Sequence, residues 1–68
     1  MNITFETEME DDGRWLAEVP ELPGVMAYGA TESGAIAKAE ALALRALAER
    51  LEHHETGPMD VRIIIAAE

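Results

Sequence analysis

The sequence predicts a single small α+β domain, residues 1–68, with element order β-β-β-α-β and one long helix on one face of a four-stranded sheet. Three observations carry this. Residues 2–10 alternate apolar and polar side chains, residues 32–54 form an alanine-rich run interrupted only by Gly34, and residues 61–65 are mostly β-branched. The first pattern has the period of a half-buried strand, the second suits a helix, and the third is a strand.

In the first strand Ile3, Phe5, Thr7 and Met9 share one face, and Thr4, Glu6, Glu8 and Glu10 share the other. Asp11-Asp12-Gly13 is a hairpin turn signal. Trp15 to Val19 then runs back, with Trp15, Ala17 and Val19 expected inward and Leu16 making that register less secure. Pro20 ends the second strand, because proline has no N–H to pair.

Pro20-Glu21-Leu22-Pro23-Gly24 is the joint between hairpin and helix, with two prolines setting the backbone. Gly24 and Gly29 are read as sources of backbone freedom at the ends of the short strand Val25 to Tyr28. Thr31 is a good helix N-cap. A capping box places Glu or Gln three residues later, and Gly34 stands there instead.

Placed at 100° per residue, Ala35, Ile36, Ala39, Leu42, Ala43, Ala46 and Leu47 of the helix form the expected sheet-facing side. Leu44 and Leu51 widen the apolar arc beyond what one sheet needs, so these two are the candidates for self-association, as a homodimer or higher homo-oligomer. Gly57-Pro58 closes the helical region. A right-handed crossover then brings residues 61–65 beside the first strand, parallel to it. The expected sheet order is 3-2-1-4, with Val61, Ile63 and Ile65 turned to the helix.

Fourteen acidic and five basic side chains give a formal charge of −9. No basic footprint is available for direct contact with nucleic acid. The charge suits a basic partner, or plain solubility. Cysteine is absent, which excludes disulfides and thiolate metal sites. The N-terminal residues lack the pattern of a signal peptide and no apolar run approaches membrane-spanning length, so the expected location is the cytoplasm. A core this small is marginal by itself.

Catalytic chemistry finds little support. Glu6, Glu8 and Glu10 share a strand face at a spacing of about 7 Å, without surroundings that make carboxylates converge, and read as a solvated face. His53 and His54 are adjacent and point in different directions on a helix. Ser33 is the one serine and sits in the helix's first turn. Trp15 reads as core, with an interface anchor as the alternative. Met26 and Tyr28 share a side and are open between core and interface. No catalytic residue, cofactor site or metal site is assigned, and the protein is not expected to be an enzyme.

The charged first strand, the Gly13-Arg14-Trp15 hairpin, Pro20-Glu21-Leu22-Pro23-Gly24, and then Gly29, Thr31 and Ala35 resemble the N-terminal domain of HicB-type antitoxins, over essentially the whole chain. Gly34 departs from the acidic residue common there. The resemblance implies a partial, catalytically degenerate ribonuclease H-like fold. It also implies neutralisation of a small basic mRNA-cleaving toxin of HicA type, as in a type II toxin–antitoxin system. The DNA-binding domain that usually follows in such proteins has no counterpart in these residues, so operator binding is not expected of them. The alternative is a stand-alone homo-oligomeric HicB-like module with no toxin partner and a structural or regulatory role. For a partner, the physical candidates are Glu21, Leu22 and Pro23 of the loop, Met26 and Tyr28 beside it, and the acidic strand face.

Overall fold

Residues 1–53 and 57–65 are described by the computed structural model. Their elements are β1 (Asn2–Thr4), β2 (Glu6–Met9), β3 (Trp15–Glu18), β4 (Met26–Gly29), α1 (Glu32–His53) and β5 (Arg62–Ile64). This is a small α+β arrangement with one helix. The predicted helix end at His54 lies outside the described residues.

The strands form two sheets. β2, β3 and β4 make an antiparallel meander, and β1 pairs with β5 in parallel. The expected single four-stranded sheet of order 3-2-1-4 is therefore not formed. The alternating stretch 2–10 is divided at Phe5, and its halves pair with different neighbours. The reason lies in the loop after β3. Val19 N–H donates to the Val25 carbonyl at 3.0 Å, and β3 pairs no further than Glu18 opposite Glu6. Pro20 has no N–H to offer. Alongside β1 the place of a strand is taken by the Glu21 carboxylate, which accepts from Thr4 N–H at 3.2 Å and from Thr4 Oγ1 at 2.7 Å.

Both loops of the meander follow from local chemistry. In the first, Gly13 N–H donates to the Glu10 carbonyl at 3.0 Å and Glu10 N–H to Arg14 at 2.7 Å. Gly13 has φ 89°, the left-handed residue that completes a three-residue hairpin loop. The second loop is two turns in tandem: Leu22 N–H reaches the Val19 carbonyl, and Val25 N–H reaches that of Leu22, each at 3.0 Å. Pro20 and Pro23 stand at the second position of their turns, where a fixed φ is pre-set. Gly24, at φ 90°, supplies the left-handed third position of the second turn. Leu22, shared by both turns, is buried in the core at 2% exposure.

Gly29 acts differently from expectation, since its φ is not positive. A Cβ there would lie 2.6 Å from Ala35 N and 3.0 Å from Ala35 Cα. It is a close-approach glycine, and it lets α1 sit directly on β4. Thr31 caps the helix: its Oγ1 accepts from Gly34 N–H at 3.0 Å, and its carbonyl accepts from Ala35 N–H. Thr7 Oγ1 donates to Glu32 Oε2 at 2.6 Å, tying the first turn to β2.

The helix packs over β3 and β4 and touches β2. Its buried residues are Ala35, Ile36, Ala39, Ala43 and Leu47, which join Ile3, Phe5, Ala17, Val19 and Leu22 in the core. Leu42, expected inward, is 37% exposed. At 100° per residue it lies about 20° beyond Ala35, on the side where β4 is the edge strand and no sheet continues beneath it. Val61, Ile63 and Ile65 are likewise not covered by the helix; they remain 39%, 36% and 47% exposed. A helix of this length spans about 33 Å and overruns strands of four residues, so Ala48 to His53 are all exposed. None of the helices among the described residues is long and apolar enough to cross a membrane.

Candidate interaction surface

The meander has one face under the helix and one face open. Register assigns them. Thr7, Ala17 and Ala27 lie in one row and Met9, Trp15 and Gly29 in another. These are the inner rows, since Thr7 bonds Glu32 and Gly29 lies against Ala35. The intervening positions therefore point outward, because side chains alternate along a strand. One outer row is Glu6, Glu18 and Met26; the next is Glu8, Leu16 and Tyr28.

Met26 and Tyr28 are thus settled as surface residues of the open face, 41% and 38% exposed. Leu16 lies between Glu8 and Tyr28 at 9% exposure. Trp15 turns inward and packs against the core.

The electrostatics of the face are lopsided. Glu6 and Glu18 stand directly opposite one another, and like charges so placed across an antiparallel pair are destabilising. Arg14, at the hairpin end, is the one basic residue of the meander. Its guanidinium lies 4.3 Å from the centre of the Tyr28 ring and its Nε donates to Asp12 Oδ2 at 2.7 Å. The Asp12 carboxyl is held below its ordinary value, first by the hydrogen bond from Arg14 N–H and also by the Arg14 side chain. Lys38, Arg45 and Arg50 are on the helix and Arg62 is on β5. Among the described residues, the glutamate rows thus lack a free local cation.

Of the loop residues named from sequence, Pro23 and Glu21 are exposed while Leu22 is in the core. Leu22 is therefore not available to a partner without opening the fold. Glu21 has a structural task. Its carboxyl is held below the ordinary 4.5 chiefly by the Thr4 hydroxyl and then by Thr4 N–H. A depressed folded-state pKa stabilises above the ordinary value and ceases to do so as pH falls through the folded-state value. Glu21→Ala is accordingly expected to lower the thermal midpoint at neutral pH, with the gap from the parent chain closing in acid, below the ordinary glutamate range. Thermal unfolding followed by circular dichroism at neutral and acid pH checks this; a gap that does not narrow contradicts it.

No three His, Cys, Asp or Glu side chains among the described residues are arranged to hold a metal ion. A shallow open groove at the hairpin turn is lined by Glu8, Glu10, Asp11, Asp12 and Arg14; it holds no hydroxyl, thiol or imidazole. His53 lies on the exposed end of α1, and His54 is outside the described residues. Glu18 and the Thr7–Glu32 bond are the features that sequence reading missed. Glu18 was within reach of it, since counting back from the Asp11–Gly13 turn puts this residue opposite Glu6.

The structure thus defines a small α+β domain with one open, acidic sheet face. Comparison with protein-family models, curated proteins and solved structures gives no match for this chain.

Proposed function

We propose that the domain is an antitoxin-like binding module of HicB type, which covers a small basic mRNA-cleaving toxin in the cytoplasm and has no catalysis of its own. The observation that carries the proposal is the open face of the meander. Glu6, Glu8 and Glu18 lie to one side of the partly exposed Met26 and Tyr28, which stand on the edge strand β4. A basic partner relieves the Glu6–Glu18 repulsion, and the two large side chains supply an apolar anchor along the edge-strand side of that contact. The proline–glycine joint, through the family resemblance, supports the same reading.

The test is co-expression with a HicA-type toxin, taken from the adjoining reading frame where that frame encodes a short basic protein. The expected result is a co-purifying complex and restored growth. Glu6→Lys with Glu18→Lys should slow association about tenfold or more at low salt, with the fold retained by circular dichroism. Absence of a complex and of rescue defeats the proposal and leaves the stand-alone homo-oligomeric module.

A further inference from the structure

The helix carries a second surface that the acidic face does not use. Ala37, Ala41, Leu44, Ala48 and Leu51 follow one another at spacings of 4, 3, 4 and 3 residues. Such spacing forms one continuous seam along a helix. None of the five is among the buried residues of α1, and Leu44 and Leu51 are 49% and 46% exposed. The buried arc of α1 begins at Ala35, over Gly29 of β4, and turns round to Leu47. Continuing in the same sense passes Leu47 and reaches Leu51 and Leu44, on the side away from β4.

We propose that this seam binds the same seam of a second copy, with the two helices antiparallel about a two-fold axis at Leu44. The sequence is self-complementary in that register. Leu44 meets Leu44, Ala41 meets Ala48, and Ala37 meets Leu51, so a small side chain faces the large one at each end. Alanines at the seam allow the close approach that helix pairs need. Side-chain size decides the direction, since parallel pairing sets Leu51 on Leu51 and alanine on alanine at 37, 41 and 48, and charge agrees with it. Along the edge of the seam stand Lys38, Arg45 and Glu52. Antiparallel pairing sets Lys38 beside Glu52 of the second copy at both ends. Only Arg45 meets its own kind, and Glu49 four residues on is placed to compensate it. A second copy therefore fits the seam, through an isologous contact, and it does so whether or not the acidic face binds a toxin.

Sedimentation equilibrium of the full chain tests this. The expected result is a dimer with Kd of roughly 1–100 μM. Leu44→Glu should raise Kd at least about tenfold with the circular dichroism spectrum unchanged. Lys38→Glu should weaken the dimer several-fold, and Lys38→Glu with Glu52→Lys should restore it. The chain has no cysteine, so oxidation reports register directly. Leu44→Cys should give a covalent dimer, whereas Ala48→Cys alone should not, because it faces Ala41. A monomer at about 100 μM overturns the proposal and leaves the seam to a different chain. A dimer indifferent to Leu44→Glu overturns it too. Ready cross-linking of Ala48→Cys to itself overturns the antiparallel register.

Discussion

Gly29→Ala is expected to lower the midpoint of thermal unfolding by about 10–20 °C. The added Cβ falls 2.6 Å from Ala35 N and 3.0 Å from Ala35 Cα and Gly34 C. All three are backbone atoms, so no rotamer change relieves the contact, and α1 must lift from β4 along its first turns. That interface carries Ala35 and Ala39, both wholly buried. Forcing extra volume into such a contact costs about 1–3 kcal/mol, and each kcal/mol moves the midpoint of a 60–100-residue domain by about 4–8 °C. Differential scanning calorimetry reads the shift. Because backbone is what obstructs the methyl group, Ala35→Gly in the same chain should not rescue it. A midpoint within about 2 °C of the parent means that the helix has slack over β4 and the close-approach reading is wrong.

Gly29 also shows where sequence reading succeeds and where it stops. Its neighbours Met26 and Tyr28 share a face by simple alternation, and that much is visible in the sequence. Which face is inward is not, because the deciding residues are Ala27 and Gly29, whose small size matters only once a helix is placed over them. The hairpin turn, the N-cap Thr31 and the proline-led turns are legible because each rests on chemistry within four residues. The division of the first strand is not. A period of two records which way side chains point and says nothing of which neighbour pairs at each position. Here the switch at Phe5 is set by Pro20 and by Glu21 reaching Thr4, contacts far apart in sequence. Leu42 fails for the related reason that a helix pattern does not carry the width of the sheet beneath it.

Leu22→Ala is expected to take a large share of the domain's stability, and the comparison with its neighbours decides what the loop is for. Leu22 is 2% exposed and packs with the core, while Pro23 and Glu21 on either side are exposed. Truncating a buried leucine costs about 2–5 kcal/mol. A domain of this size has only about 3–10 kcal/mol in total, so that loss is a large share of it. Pro23→Ala removes a restriction on the unfolded chain and should cost only about 0.4–1 kcal/mol. Chemical denaturation of the two variants measures the contrast, and similar midpoints for both would show that Leu22 contributes no core packing. The same contrast bears on binding. If the loop is architecture, Leu22→Ala loses any partner in step with its circular dichroism signal. Tyr28→Ala, on the open face beside Arg14, should instead lose affinity while the fold persists. Loss of affinity in a folded Pro23→Ala variant would place the partner on the loop. Loss confined to Tyr28, Glu6 and Glu18 would place it on the acidic face, with Pro20 to Gly24 serving to hold that face in position.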